Sequence, residues 1–600
     1  MPDVLKNLLK RALVLGIFSG ALEVFLHAES RLGLSVADRM NWLFVAILFG
    51  CLVTLSAACF AAFLHLRWGV SWGGGLIVSA LLALHGALYF RFEYVLNEPV
   101  LSPKVWGPLL LILAFSLVIG WRVNRYIERG LRVQWGIAFL AVIGFFWKSQ
   151  PAGSLASTDQ VNVLLVTFDT TRADRLGAYG GNADTPTIDA LARAGVLYEQ
   201  AIAPAPLTQA SHLSLLTGKA LHRTGIYSNG TRLGDRPAMI SHAFQDAGYR
   251  TGAVVSGFPL HGKYGWTQGF DFYEDDFGAR PGLHRLSLMR AWDQLTLPGN
   301  TIRERPGRQT LSRAKSFLKR HGKGPFFLWV HFFDPHAPYE VSEKELAEAP
   351  RDGAPLNLPR YWPPAHRSIT STDWLIEAYE KEISATDALL GELLDALPEG
   401  VREKTVVAFT ADHGESLTEH DYLFDHGDYL YDASLHIPLI LAGPGVPENK
   451  RIACQVSGID LSPTLRGLAG IGALDFEPGM GETLAPFDEQ CEDRIAHAAA
   501  VAERYVANPP IDHALRMVLD YGGEQGKRMS KFIQHEKREN TLFDLVSDPG
   551  ETQNLNPAAS GVAQTAEGVL DVMLEGAADV VMPQSDPTTT DALKALGYIE

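Results

Sequence analysis

The stretch "VNVLLVTFD" (residues 161–169) is a nearly continuous apolar run that ends in an acidic residue. Because its apolar residues do not alternate with polar ones, it predicts a strand that is buried on both faces, as in a parallel sheet. The stretches "PFFLWVHFFDPHAPY" (325–339) and "TVVAFTADHG" (405–414) repeat this pattern. The three runs predict the centre of a largely parallel sheet.

Further strands and helices are indicated around these runs. "GYRTGAVVSG" (248–257) and "HIPLILAGPG" (436–445) add two strands, whereas "TIDALARAGV" (187–196) and "EAYEKEISATDALLGELLDAL" (377–397) have helical spacing. Strands that alternate with helices predict an α/β domain.

Polar side chains follow the predicted central strands at the edge where such sheets bind ligands. A single carboxylate at a strand end more often caps the next turn than it binds a ligand. Together, however, Asp169, Asp412 and His413 offer two oxygens and one nitrogen, a donor set suited to a divalent cation. His336 and His426 are candidates for further ligands or for donors to a bound anion.

Three other histidines are candidates to approach the site, but each is interpreted as a surface or hydrogen-bonded residue, since that is the commoner role of a lone histidine. They are His222, His331 and His420.

Thr208 precedes a short helical pattern in "APLTQASHLSLLTG" (205–218). Taken alone, it predicts an N-cap whose hydroxyl accepts a hydrogen bond from an early helical N–H group. The alternative is a nucleophile, because a hydroxyl at a helix N-terminus lies in a positive potential that stabilises an alkoxide.

The charge is distributed unevenly along the 600 residues, which are too many for one hydrophobic core. Residues 1–150 hold 13 Lys and Arg against 7 Asp and Glu, and the whole chain carries −16, so residues 151–600 carry −22. Such an acidic part is a poor candidate for nucleic-acid binding, which needs basic surface. We therefore expect no nucleic-acid partner.

Five apolar stretches predict a transmembrane domain in residues 1–150, since about 20 apolar residues span a bilayer. They are residues 11–28, 42–66, 73–90, 105–121 and 134–147. Eight Lys and Arg residues fall in the N-terminal tail and the loops on the same side of the membrane, against four in the loops on the opposite side. This bias predicts a cytoplasmic N-terminus, a multi-pass inner-membrane protein and a periplasmic or extracellular catalytic domain. Residues 151–160 form the predicted linker.

Two of the four cysteines, Cys454 and Cys491, lie in the soluble part. A disulfide between them requires an oxidising compartment, and the sequence leaves open whether it forms.

Four segments resemble, in order and spacing, the sulfatase-like branch of the alkaline phosphatase superfamily: residues 161–180, 185–226, 325–339 and 406–445. "SGIDLSPTL" (457–465), "TLFDLVSDPGETQNL" (541–555) and the terminal "LKALGYIE" match later segments of that family. The resemblance implies a doubly wound α/β catalytic domain (161–500), followed by a small α+β subdomain (501–600).

The resemblance also implies the roles of individual residues. The implied metal ligands are Asp169, Asp412, His413 and the nucleophile Thr208. The residues implied to contact the sulfuryl or phosphoryl group and to assist the leaving group are His336 and His426, with Arg172 and His212 as supporting residues.

The chain departs from the family pattern at the nucleophile. Sulfatases carry Cys or Ser in Cys-x-Pro-x-Arg, which is converted to formylglycine, whereas the corresponding residues here are Thr208, Ala210 and His212. Threonine cannot form that aldehyde, so we expect no formylglycine. The expected cofactor is Mn²⁺, Zn²⁺ or Ca²⁺, and a histidine ligand favours the first two.

We therefore expect a membrane-anchored, metal-dependent hydrolase of sulfuric or phosphoric esters. The alternative is a phosphoethanolamine- or phosphoglycerol-type transferase that modifies envelope lipids or glycans, because such enzymes also use threonine and place five spans before the catalytic domain. A non-catalytic binding role is the third reading. Expected partners are a small-molecule, lipid or glycan ester and membrane lipids; the natural substrate and the oligomeric state stay open.

Overall fold

The computed structural model describes residues 160–234, 238–277, 304–359, 361–472 and 480–487, and then 499–503, 514–520, 530–535, 539–555, 557, 560–574 and 578. The five predicted spans and the predicted linker up to residue 159 lie outside these residues. Among the helices that are described, none has both the length and the apolar composition needed to cross a membrane.

The larger sheet has eight strands. They are β1 (Asn162–Phe168), β2 (Gly195–Ile202), β3 (Arg250–Val254), β4 (Phe272–Glu274), β5 (Phe326–Phe332), β6 (Thr405–Ala411), β7 (His436–Ala442) and β8 (Lys450–Ser457). Their order is β4-β3-β5-β1-β6-β7-β2-β8. Within this sheet, β7 alone runs antiparallel to its neighbours. The sheet is therefore mixed, with one antiparallel strand, which is compatible with the predicted largely parallel sheet.

The strands β1, β5 and β6 lie side by side, and every residue in them is buried. This burial on both faces is the reason for their uninterrupted apolar sequences. Neighbouring residues of β5 show the two faces: Phe326 packs edge-on against Phe317 on one side, and Phe327 stacks on Phe244 on the other.

Helices cover both faces of the sheet, as a doubly wound fold requires. They are α1 (Pro186–Arg193), α2 (Thr208–Thr217), α3 (Leu221–Thr224), α4 (Ile240–Asp246), α5 (Gly307–His321), α6 (Glu343–Glu348), α7 (Thr372–Leu394), α8 (Asp432–Leu435), α9 (Leu461–Leu468) and α10 (Gly561–Leu574). Helices α1 and α5 both contact α7, and α2, α4 and α9 contact one another. The predicted α/β architecture is confirmed for this domain.

The smaller sheet is antiparallel. It comprises β9 (Ala499–Glu503), β10 (Ala514–Asp520), β11 (Ser530–His535) and β12 (Thr541–Asp544), in the order β12-β11-β10-β9. Ala563, Ala566 and Leu570 of α10 pack against Phe532 and Leu542 of this sheet. The domain boundary predicted at residues 500 and 501 falls inside β9.

Candidate active site

Three central strands end at one place and bring the predicted ligands together. Parallel pairing sets Phe168 of β1 beside Phe332 of β5 and Ala411 of β6. The next residues along β1 and β6 are Asp169 and Asp412, and both are fully buried. The structure therefore brings these two carboxylates to one edge of the sheet.

Each carboxylate has one oxygen that is hydrogen-bonded and one that is not. Asp169 Oδ2 lies 3.1 Å from His331 Nε2, and Asp412 Oδ1 accepts from the backbone N–H groups of Thr170 (3.2 Å) and His413 (2.8 Å). The buried oxygens Asp169 Oδ1 and Asp412 Oδ2 have no hydrogen-bond partner. A buried polar atom without a partner is costly, so these oxygens mark a place where a ligand belongs.

His413 completes this set. Its Nδ1 donates to the carbonyl oxygen of Gly414 at 2.9 Å, which leaves the Nε2 lone pair 3.9 Å from Asp169 Oδ1 and 3.5 Å from Asp412 Oδ2. The ligand atoms of the three residues lie within 4.8 Å of one another. A backbone carbonyl that fixes the tautomer is the usual support of a metal-binding histidine, so the residues present fit a divalent cation.

The electrostatics agree with that fit. Burial raises the pKa of Asp169 to about 7, although the nearby His413 imidazole and hydrogen bonds from Thr170 and Thr208 lower it. Burial and the adjacent Asp169 carboxylate also raise the pKa of Asp412. Two buried like charges oppose ionisation, and a bound cation would offset their repulsion.

Thr208 is the first residue of α2, and the N-cap is Leu207 without a side-chain cap. The predicted capping role of Thr208 is therefore wrong. Its hydroxyl oxygen lies 3.5 Å from His413 Nε2, and the N–H of Gln209 donates instead to Asn229 Oδ1 at 2.8 Å. The side-chain oxygen of Asn229 thus accepts the hydrogen bond from this helical N–H group. The Thr208 hydroxyl is therefore not needed as a cap and faces the carboxylates.

His212 links the first turn of α2 to strand β1 through its two ring nitrogens. Its Nδ1 lies 2.8 Å from the carbonyl oxygen of Thr208, and its Nε2 lies 3.1 Å from the hydroxyl of Thr167. Burial lowers the pKa of His212 to about 3, so the ring is neutral. His212 also lies near His331 and Asp412 in a second group of candidate ligands, but its two nitrogens already have partners, which makes it a support for Thr208.

His426 lies next to His413, and His336 lies next to His426. The ring of His426 lies 4.5 Å from that of His413, measured between centroids, and 4.9 Å from that of His336. His336 stacks on Phe333 at 4.3 Å. Burial lowers the pKa of His336 to about 3.

Comparison with known proteins agrees with this geometry. The family model described as Sulfatase matches residues 161–471, more than half of the chain. The chain belongs to the sulfatase family. It is a hydrolase that acts on sulfate esters.

Two curated relatives illustrate how far the likeness extends. The uncharacterized sulfatase YidJ of Escherichia coli K12 is 29% identical over 352 residues, which cover 53% of this chain and 69% of that protein. The delta 4,5-hexuronate-2-O-sulfatase of Bacteroides thetaiotaomicron is 26% identical over 455 residues, covering 69% and 88%. Among solved structures, the phosphonate monoester hydrolase of Agrobacterium radiobacter shares the fold with a TM-score of 0.53 and 21% identity, covering 69% of this chain and 95% of that one.

In this sulfatase the guanidinium of Arg172 does not reach the metal-ligand set as a direct support. It pairs with Asp174 and Glu419, each at 2.8 Å, and donates to the carbonyl oxygen of Glu415 at 3.2 Å. Arg172 therefore acts on the segment that follows β6. The supporting role that the resemblance implies for Arg172 stays a prediction.

Sequence reasoning missed three residues of the site. His331, interpreted as an ordinary histidine, is fully buried and lies next to Asp169; its place opposite Thr167 in the β1–β5 register was the available signal. Asn229 lies in a loop without a distinctive pattern, whereas Glu415 lies within the resembling segment 406–445; the fold brings both to the site.

Proposed function

We propose that this sulfatase is a membrane-anchored, metal-dependent hydrolase of sulfate or phosphate esters, with Thr208 as the nucleophile. One observation carries the proposal. The Thr208 hydroxyl, fully buried at the start of α2, lies beside His413 Nε2 and two carboxylate oxygens that have no hydrogen-bond partner.

Asp169, Asp412, His413 and Thr208 would hold the metal ion. When bound, the ion supplies positive charge that stabilises the threonine alkoxide and the charge developing on the ester. The nitrogen ligand favours Mn²⁺ or Zn²⁺ over Ca²⁺.

The chain's own residues prepare the attack. Thr208 Oγ1 gives its proton to a water molecule that enters the site with the ester, helped by the positive potential at the start of α2, and forms a bond to sulfur or phosphorus. Asn229 Nδ2, a buried donor without a hydrogen-bond partner, is suited to a non-bridging oxygen of the ester. His336 or His426 gives a proton to the leaving oxygen, and water then cleaves the covalent threonine ester.

The proposed substrates are small-molecule, lipid or glycan esters. The relative from Bacteroides thetaiotaomicron is named for a sulfated hexuronate, which supports a sulfated glycan. The fold also occurs in a phosphonate monoester hydrolase, and a threonine nucleophile is compatible with a phosphorus ester.

The proposed location of the catalytic domain is the outer side of the inner membrane. The five apolar stretches and their flanking charges support anchoring. The buried residue Cys454 of β8 is disulfide-bonded, and disulfides persist in oxidising compartments such as the periplasm. Its candidate partner Cys491 lies outside the described residues.

A transferase is the second candidate, which the five predicted spans favour. Full-length protein in detergent, incubated with para-nitrophenyl sulfate and with bis-para-nitrophenyl phosphate, tests the hydrolase. Intact-mass analysis after rapid quenching should show an adduct the size of one sulfuryl group or one phosphoester on the wild type and none on Thr208→Ala. If both esters are inert, and labelled phospholipid instead passes its headgroup to an envelope acceptor in cells, the transferase is correct.

A further inference from the structure

A buried carboxylate lies beside the two histidines proposed to face the leaving group. Glu415 is 0% exposed. Its Oε2 accepts a hydrogen bond from the Tyr339 hydroxyl at 2.6 Å, and its Oε1 lies 3.4 Å from Nδ1 of His426. Burial of a carboxylate is costly unless its oxygens are hydrogen-bonded, and here both oxygens have a partner next to the reacting centre.

The backbone of the segment that carries Glu415 and His426 is locally strained. His420, Asp421 and Phe424 adopt positive φ angles of 58°, 58° and 49°, which are unfavourable for residues other than glycine. Such strain persists only where surrounding contacts hold it.

Those contacts come from outside the segment. Arg172 pairs with Glu419 and donates to the carbonyl oxygen of Glu415. The Tyr361 hydroxyl donates to the carbonyl oxygen of Phe424 at 3.1 Å. The segment is therefore preorganised around the Glu415–His426 pair.

The two candidate general acids, His336 and His426, differ in the group that lies next to Nδ1. The Nδ1 of His336 donates to the backbone carbonyl oxygen of Ala337 at 2.5 Å, and the ring stacks on Phe333. The Nδ1 of His426 instead faces the Glu415 carboxylate. A carboxyl group beside Nδ1 fixes the ring orientation and directs Nε2 to the opposite side, and the ring of His426 lies 4.5 Å from that of His413, measured between centroids.

We propose that Glu415, itself held by Tyr339, is the positioning residue of His426, and that His426 rather than His336 protonates the leaving oxygen. This rests on the proposed function. As Thr208 Oγ1 bonds to sulfur or phosphorus, the bond from that atom to the leaving oxygen breaks. Its electron pair goes to the leaving oxygen, which takes the proton from His426 Nε2, and the imidazole becomes neutral.

The test compares two esters that differ in how much they need an acid. The leaving group of phenyl sulfate is phenoxide, a fairly strong base, whereas that of para-nitrophenyl sulfate is the much weaker base nitrophenoxide. Loss of general-acid catalysis therefore affects hydrolysis of phenyl sulfate far more. Full-length Glu415→Gln should lower kcat on phenyl sulfate by about 100-fold and on the nitrophenyl ester by less than about 10-fold. KM should change little for either ester. Loss of equal size on both esters overturns the proposal, because a merely structural defect does not depend on the leaving group.

Three further single variants and one double variant sharpen the result. His426→Ala should show the same dependence on the leaving group, and adding Glu415→Gln to it should cause no further loss, since residues that act as a unit are not additive. Tyr361→Phe removes a hydrogen bond to the same segment without changing the pair, so any effect should be equal on both esters. Selective loss on phenyl sulfate in His336→Ala instead of His426→Ala also overturns the assignment.

A readout without substrate separates this inference from the proposed function. If wild-type protein hydrolyses none of these esters, the proposed function fails. The positioning is then decided by crystal structures of wild type and Glu415→Ala. A turned His426 ring in the variant supports it, and an unchanged ring overturns it.

Discussion

The hydroxyl oxygen of Thr208 lies 3.5 Å from Nε2 of His413, and both residues are fully buried. This relationship joins the start of α2 to the end of β6, two elements about two hundred residues apart in sequence. Under the proposed function, it places a hydroxyl where a divalent cation and an ester would meet.

Removal of this hydroxyl should abolish turnover. Thr208→Ala is expected to lower kcat by about 1,000-fold or more, whereas Thr208→Ser keeps an oxygen and should retain much of the activity. Steady-state hydrolysis of a nitrophenyl ester measures both. Thr217→Ala is the matched control, because this buried threonine of the same helix donates to the carbonyl oxygen of Leu213. Activity of Thr208→Ala equal to wild type would sink the nucleophile assignment.

Metal addition should stabilise the protein through the two unpartnered carboxylate oxygens. In chelator-treated protein, Mn²⁺ or Zn²⁺ at 100 times its Kd should add about 2.7 kcal/mol to the free energy of unfolding and raise Tm. Asp169→Asn and Asp412→Asn should lose this rise. Asp387→Asn should keep it, since that carboxylate accepts from the N–H groups of Thr187 and Ile188. An equal rise in all four proteins would show that the metal binds elsewhere.

His331 should control metal affinity without being a ligand. It orients Asp169 from 3.1 Å away, and loss of such an outer partner typically weakens metal binding by about 10–100-fold. Titration of chelator-treated His331→Ala with Zn²⁺, followed by calorimetry, measures the change. His321→Ala at the end of α5 serves as the control and should bind like wild type. Unchanged affinity in His331→Ala would argue against an orienting role.

Stability should fall as the pH rises through the neutral range because of Glu382 in α7. Burial and the nearby Asp334 raise the pKa of Glu382 to about 8, so the folded state holds a proton that the unfolded state releases near its ordinary pKa of 4.5. This contribution is complete below pH 4.5 and is lost up to about pH 8. Asp334, whose pKa burial raises to about 6, acts in the same direction.

Glu382→Gln should therefore flatten the decline of Tm between pH 5 and 8 by a few °C. Differential scanning calorimetry at several pH values measures it. Glu377→Gln, an exposed position on the same helix, should leave the profile as in wild type. A Glu382→Gln profile as steep as that of wild type would contradict the prediction.

Lys531 should be essential for docking of the smaller sheet. This buried lysine of β11 pairs with Asp432 and Glu551, each at 2.6 Å. Lys531→Met leaves these carboxylates without their cation and should lower the free energy of unfolding by about 3–5 kcal/mol. Thermal denaturation measures it, and Lys381→Met, which removes an exposed pair with Glu377, should cost less than about 1 kcal/mol. A similar cost for both variants would contradict the prediction.

The sequence predicted the central strands because their burial removes polar residues from both faces. Strands β1, β5 and β6 were located to within a few residues for this reason. Strands β2, β4 and β8 were missed, since β4 has three residues and β8 begins with a partly exposed stretch at the sheet edge. The antiparallel direction of β7 depends on its pairing with β2 and β6, which no local pattern encodes.

The residue types at the strand ends were enough to predict a cation site, because parallel strands bring their carboxyl ends to one edge whatever the loops do. They could not reveal that the Thr208 hydroxyl turns from its own helix towards His413, that His331 holds Asp169, or that Glu415 lies behind His426. Each of these depends on side chains from distant segments competing for the same hydrogen bonds. The local sequence identifies the possible donors and acceptors, and the packing of the whole chain determines which of them form hydrogen bonds with one another.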